Sequence, residues 1–105
     1  MTTWDEILLI PEEIVKGRTG ATAKHPQMDD ARTVNARVES VYMQEYYTAL
    51  AAGKTITVRF ILYRAEWQGE MLVRYKGQDY RVVRKYEPMK HIDLIELYCA
   101  AAEGQ

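Results

Sequence analysis

The sequence predicts a mainly β fold: a small antiparallel β-barrel of about six strands, with one short inserted α-helix and a long loop after the first strand. Several short segments alternate apolar and polar residues, which is the period of a half-buried strand. Short turns that contain glycine or proline join these segments, as is typical of antiparallel neighbours. Closing such a sheet on itself removes exposed strand edges, and the chain length fits a single domain over residues 1–105.

The first strand and the segment after it differ in composition. Trp4 to Ile10 is a short apolar run that Pro11 interrupts, which predicts a strand and then a break. From about residue 11 to residue 32 the chain includes "KGRTGATAKHPQMDD", with two glycines, one proline and little periodicity. We expect a long loop here. Such a loop in a compact domain tends to be functional or disordered until bound, although a mobile surface loop without a role is the simpler alternative.

A second strand and a helix follow the loop. In "TVNARVESV", residues 33–41, Val34, Ala36 and Val38 share one face, which predicts a half-buried strand. The period then changes. In "MQEYYTALAAG" large apolar residues recur at helical spacing, alanines favour helix, and Gly53 is a natural terminator. These features predict a helix of about three turns over residues 42–52.

Four further strands complete the predicted barrel. The turns between them are expected at Gly69, in "EWQGE", and at Gly77, in "KGQD", where a tight hairpin needs a positive φ. On the fifth strand Arg84 is expected on the same face as Tyr80 and Val82, and Pro88 ends that strand. The four strands are predicted at Lys54–Tyr63, Met71–Tyr75, Tyr80–Tyr86 and His91–Cys99.

The composition indicates in which cellular compartment the protein is made. The only cysteine, Cys99, cannot form an internal disulfide and is expected to be a buried, inert thiol. The N-terminus "MTTWDEILLI" lacks the basic start and small-residue cleavage site of a signal peptide. No apolar run approaches the roughly 20 residues that span a bilayer. We therefore expect a soluble protein, made in the cytoplasm, with no membrane partner.

Charge is unevenly distributed along the chain. Residues 1–53 hold five basic and eight acidic residues, a net charge of −3; residues 54–90 hold nine and four, or +5; residues 91–105 hold none and three, or −3. A basic middle between acidic ends can form a phosphate-binding face. It can equally be a solvated strand face, or reflect subunits that meet head to tail.

The residue types needed for catalysis do not occur in a useful pattern. The acid pairs Glu12–Glu13 and Asp29–Asp30 have only His25 near them, and no glycine-flanked serine or phosphate-binding glycine motif is present. On one strand His91 and Cys99 would lie about 26 Å apart. His25, His91 and Cys99 are too scattered for a zinc site. We expect no enzyme activity, no metal and no cofactor.

The order of these elements resembles that of a known family. "ARVESVYMQEYYTALAAGKTITVRFILY", then "EWQGEMLVRYKGQDYRVVRKYE" and "IDLIELYC", is similar to the small head-closure proteins of tailed phages, also called head–tail joining or stopper proteins. The resemblance covers about Val34 to Cys99. It depends on a strand that leads into a helix with the pair Glu45 and Tyr46, and on the alanine-rich end of that helix with Gly53. The Gly77 hairpin with Tyr80 and the final "ELYC" complete the pattern.

The resemblance implies a structural virion protein, of a phage or prophage, that is made in the host cytoplasm and located at the head–tail neck. Its relatives form a ring of identical copies, commonly twelvefold, below the portal and its adaptor ring. Such a ring closes the DNA exit channel after packaging and gives a platform to the tail or a tail-terminator ring. The implied partners are other copies of the chain, these two neighbouring rings and the packaged double-stranded DNA.

The same resemblance suggests which residues act in the ring. The loop after the first strand is similar in placement to the segment that family members direct at the channel or at neighbouring rings. Exposed tyrosines and strand cations are expected at contacts between subunits. The expected loop residues are Lys16, Arg18, Lys24, His25, Gln27, Met28, Asp29 and Asp30; the expected interface residues are Tyr46, Tyr47, Arg59, Tyr63, Arg81 and Lys85; the expected structural turns are Gly53, Gly69 and Gly77.

Two other functions fit part of the sequence. A small nucleic-acid-binding β-barrel of the OB or SH3-like kind would use the +5 segment and its interleaved tyrosines. A net charge of −1 gives no general attraction to phosphate, which weighs against it. A small adaptor or inhibitor that binds one host protein is the third hypothesis.

Overall fold

The computed structural model describes residues 4–41 and 56–102. These residues form strands and two 3₁₀ turns, at Met28–Asp30 and Arg64–Glu66. The strands are β1 (Trp4–Ile10), β2 (Glu12–Lys16), β3 (Thr22–Pro26), β4 (Arg32–Ser40), β5 (Ile56–Tyr63), β6 (Leu72–Tyr75), β7 (Gln78–Tyr86) and β8 (Leu94–Ala101).

Six of these strands close into a barrel in the order β1-β4-β5-β8-β7-β6, and every pairing is antiparallel. Closure depends on the short contact between β1 and β6, where Ile10 pairs with Leu72 and Leu9 with Val73. The predicted antiparallel barrel of six strands is therefore confirmed. Its strands use the alternating segments of the sequence, because each buries one face.

The interior of the barrel is packed with aliphatic side chains around one phenylalanine. Phe60 is fully buried, and the rings of Tyr75 and Tyr80 meet it edge-on at 5.8 and 5.7 Å between centroids. Such edge-to-face geometry is favourable for aromatic pairs. The remaining buried members of this core are Ile7, Leu9, Val34, Ala36, Val58, Leu62, Val73, Val82, Ile95, Leu97 and Cys99.

The segment predicted as a long loop is instead largely ordered. β2 and β3 within it form a two-stranded antiparallel sheet, and the first 3₁₀ turn follows. Both faces of this hairpin are open to solvent, since only Glu12 among its residues is half-buried. Alternation of apolar and polar residues arises when one face of a strand is buried, and backbone pairing alone does not produce it. A hairpin exposed on both faces therefore left no periodic signal.

Three smaller expectations need correction or lie outside the description. The last strand starts at Leu94 and not at His91, which lies in the connection before it. A bulge between Val82 and Arg84 turns Arg84 away from the face of Val82, because one extra residue reverses the alternation. The predicted helix over residues 42–52, with Tyr46, Tyr47 and Gly53, lies outside the described residues.

The hairpin at Gly77 has the predicted geometry. Lys76 and Gly77 both have positive φ, 49° and 78°, and they join the paired residues Tyr75 and Gln78. This is the two-residue turn that suits the twist of antiparallel strands. Gly69 also has positive φ, in agreement with its predicted turn.

We expect Gly77→Val to destabilise the barrel more than Gly20→Val, although both glycines have positive φ. Valine strains such a backbone by about 1–3 kcal/mol. At Gly77 the strain falls on two barrel strands, whereas Gly20 lies at the tip of the exposed hairpin, which can fray without opening the barrel. Thermal midpoints compare the two variants. Equal losses would show that the hairpin and the barrel unfold as one unit.

We expect Cys99 to resist thiol reagents in the folded protein. Its side chain is fully buried, and burial raises the pKa of the thiol far above its usual range, so the reactive thiolate is scarce. Ellman's reagent should react slowly under native conditions and promptly in denaturant. Rapid reaction of the native protein would contradict the barrel interior described above.

Candidate functional site

The exposed hairpin, which we call the arm (β2 and β3, residues 12–26), is the most prominent feature outside the barrel. Five residue pairs hold it, from Glu12 opposite Pro26 to Lys16 opposite Thr22. A tight turn closes the tip, where Gly17 N–H donates to Ala21 O at 2.7 Å. Its basic residues, Lys16, Arg18, Lys24 and His25, are exposed.

The base of the arm is clamped to the barrel. Arg81, on β7, donates two hydrogen bonds to the Glu12 carboxylate at 3.0 and 2.8 Å. These bonds hold the pKa of Glu12 below its usual value. Because the pair is bidentate, it also fixes the orientation of the two side chains. Gln27 completes the base, since its backbone N–H donates to Pro11 O at 2.8 Å and its side chain donates to Glu13 at 3.0 Å. The arm therefore leaves the barrel in a defined direction.

A buried carboxylate fixes the barrel end beside the arm. The Glu70 side chain is 4% exposed and accepts hydrogen bonds from the Arg32 guanidinium and from Gln68 N–H, the latter at 2.8 Å. Trp67 Nε1 donates to Glu70 O at 2.8 Å. A buried charge needs such partners, because desolvation without them is costly. The connection between β5 and β6 is thus tied to the start of β4.

We call the end of the barrel from which the arm leaves the arm end. Three chain connections lie there: the arm with its base, residues 64–71 and residues 87–93. Most of the exposed large apolar side chains lie on them. Met89 is 89% exposed, Ile92 71% and Ile14 69%, and Met28 and Met71 are also exposed. The concentration of exposed apolar side chains at one end makes the arm end the candidate interaction surface.

The outer wall of the barrel carries a network of paired charges. Arg59, on β5, contacts Glu39 of β4 and Glu96 of β8, and it donates to Tyr98 Oη at 3.1 Å. Arg74 pairs with Asp79 at 2.7 Å. The contacts of Arg59, together with the pair of Glu12 and Arg81, bring carboxylates of the acidic chain segments against cations of the basic one. The +5 segment is therefore partly neutralised in space.

The predicted site residues separate into two groups. The predicted loop residues do lie together on the arm and its base, with Asp29 and Asp30 in the 3₁₀ turn. The predicted interface residues are dispersed: Arg59 and Arg81 make the ion pairs above, Tyr63 stacks on Trp4 with 5.4 Å between ring centroids, and Lys85 lies over the Trp67 ring.

The sequence reasoning missed the Glu12 clamp, the Glu70 network and the apolar residues of the connection between β7 and β8. The first two are long-range side-chain pairs, which leave no local pattern. The third had a visible signal, since "PMKHID" places Met89 and Ile92 in a short polar segment just after the proline that ends a strand.

A shallow groove of about 700 Å³ lies between the arm and the connection that holds Glu70. Its apolar lining includes Pro11, Ile14 and Met71, and Lys24 and Asp30 also line it. Within residues 4–41 and 56–102, no cluster of three or more histidine, cysteine, aspartate or glutamate residues could hold a metal ion. In the same part of the chain, no helix has the length and apolar character to cross a membrane.

Comparison with known proteins gives one family. No curated protein matches the sequence. The family model described as phage head completion protein matches residues 10–103, which is nearly the whole chain and includes the arm, its base and all barrel strands after β1. The family is one of structural phage proteins. The chain therefore belongs to the phage head completion protein family.

Proposed function

We propose that this protein forms a ring at the head–tail connector, closes the DNA exit channel after packaging and provides the platform for the tail. A portal or adaptor ring would lie above it and a tail or tail-terminator ring below. Membership of the phage head completion family supports a structural role in the phage head. The arm is the single observation that carries the more specific role.

The arm suits a channel because of its shape and its attachment. It extends beyond the barrel with nearly every side chain exposed, yet its base is held by Glu12, Arg81 and Gln27. A two-stranded hairpin alone is marginally stable in water, so partners should add order to its tip. Around a ring axis, several arms would converge and supply such partners to one another.

The charge of the arm suits DNA in that channel. Lys16, Arg18 and Lys24 are exposed, and none of them forms an ion pair within the described residues. Repeated around a ring, these cations would place positive charge near the phosphates of packaged DNA, although Asp29 and Asp30 partly offset it.

The alternative, a nucleic-acid-binding barrel, loses support from the ion pairs on the wall. Arg59, Arg74 and Arg81 are each held by a carboxylate. A cation that already has a carboxylate partner gains little from phosphate, because it would exchange one anion for another. The barrel wall is thus a weak candidate for a nucleic-acid surface, and the arm is the stronger one.

We expect the free protein to be a monomer or a weakly associated species that assembles on a neighbouring ring. Its wall is closed and its wall charges are largely paired, so within residues 4–41 and 56–102 the exposed apolar side chains lie mainly at the arm end. Weak contacts gain strength when a template presents several copies together. Sedimentation at micromolar concentration measures this. A stable closed ring formed by the protein alone would refute the need for a template.

We expect a shortened arm to leave the monomer folded but to make DNA-filled heads leak or fail to join tails. Glu13 pairs with His25, so an Asn-Gly turn in place of residues 14–24 closes the hairpin early and keeps the Glu12 clamp. Circular dichroism tests folding, and particle titre with DNA retention tests function. Normal titre would remove any gating or docking role from the arm, and an unfolded variant would show that the barrel needs the arm in order to fold.

A matched control separates the charge of the arm from its length. The variant Lys16→Gln, Arg18→Gln, Lys24→Gln keeps the hairpin and removes three cations. Loss of DNA retention in both variants indicates that the cations act on DNA. Loss in the shortened variant alone indicates that the arm acts by its bulk or by contacts with neighbours.

A further inference from the structure

The connection between β7 and β8 presents an apolar projection to solvent. Its residues Met89 to Ile92, which we call the knob, carry two of the most exposed large apolar side chains of the described residues. The connection is anchored on both sides, because Arg64 N–H donates to Asp93 O at 2.8 Å and Arg64 Nε contacts Glu87 at 3.1 Å. The knob is thus held out from the barrel on a fixed base.

The groove beside the arm offers a surface of similar character. Ile14 and Met71 line it and are exposed, and Asp30 stands at its edge. Its walls are fixed by the Glu12–Arg81 clamp and by the Glu70 network. A preorganised groove loses little entropy when an apolar segment enters it.

The barrel order puts the knob and the groove on different sides of the arm end. The knob joins β7 to β8, whereas the groove lies between the arm, which joins β1 to β4, and residues 68–71, which lead into β6. In the closed order β1-β4-β5-β8-β7-β6, the β7–β8 junction is opposite the arm junction, and the groove lies between the arm junction and β6. Two different surface patches on one subunit generate a head-to-tail contact, which closes into a ring when the rotation between copies permits.

One pair of opposite charges favours this contact. Lys90 lies in the knob, and Asp30 lines the groove, where Lys24 is also present. Among the described residues, neither the Lys90 nor the Asp30 side chain has a hydrogen-bond or ion-pair partner. Opposite charges at an interface select the partner and set its register.

We propose that the knob of one copy docks in the groove of the next copy, with Met89 and Ile92 on Ile14 and Met71 and with Lys90 near Asp30. This contact rests on the proposed ring and names the surfaces that build it. It gives each subunit two different neighbours and places every arm beside the knob of the adjacent copy.

Cysteine pairs test the contact in phage particles assembled with the complete set of head and tail proteins. A chain with both Ile14→Cys and Ile92→Cys, treated with a short bis-maleimide, should give a ladder of covalent multimers on a denaturing gel. A mixture of two chains that carry one cysteine each should stop at dimers, because each chain then has a single attachment point. Cys99 is buried and should not react.

The matched control is Gln78→Cys with Ile92→Cys. Gln78 is exposed and lies at the opposite end of the barrel, so this pair should give no ladder. Ring density at the neck by electron microscopy, without a ladder from the first pair, would overturn the knob contact and leave the proposed function intact. Absence of the protein from the neck would overturn both. Cross-linking of Ile92→Cys to a different protein would assign the knob to another ring.

Charge reversal supplies a second test that does not depend on cross-linking. Lys90→Glu and Asp30→Lys should each reduce incorporation of the protein into particles, and the double variant should restore it. Lys76→Glu, the same reversal at the opposite end, should have no effect. Normal incorporation of both single variants, or no rescue by the double variant, would overturn the proposal.

Discussion

Closure of the barrel between β1 and β6 is the constraint on which the other features depend. Only three residue pairs make this seam, among them Leu9 with Val73 and Ile10 with Leu72. All four of these residues are almost fully buried, so the seam is held by packing as much as by hydrogen bonds. Because β1 continues into the arm and β6 follows the Glu70 connection, the same seam fixes the walls of the groove. A closed wall also leaves no barrel edge to which another chain could add a strand.

The ion pairs of this fold mainly join residues that are far apart in the sequence. Glu12 meets Arg81, Arg32 meets Glu70, and Arg59 meets both Glu39 and Glu96. Three of these four contacts, all except that of Arg32 with Glu70, join an acidic end of the sequence to its basic middle. Pairing within one molecule is therefore a simpler account of the charge segregation than either a phosphate-binding face or paired subunits. Partly buried pairs of this kind fix register more reliably than they add stability.

The sequence revealed the barrel because each wall strand has one buried face, and burial imposes a period of two. Val34, Phe60 and Val73 are members of such faces. The arm was missed because its backbone pairs without burying either face. Side-chain pairs such as Glu12 with Arg81 could not be predicted, since they depend on the order of strands around the barrel. Knob residues Met89 and Ile92 were visible in the sequence, but their exposure became clear only once β8 was found to begin at Leu94.

The clamp at the base of the arm gives the hairpin a fixed reach. Five paired residues at about 3.4 Å each carry the tip roughly 15 Å from the barrel. The tip of a disordered loop with the same number of residues would occupy many positions. A clamped hairpin keeps its length unless residue pairs open at its tip. In the proposed ring, the number of paired residues in each arm would therefore set the width of the central aperture, and adding or removing one pair would change that width in steps.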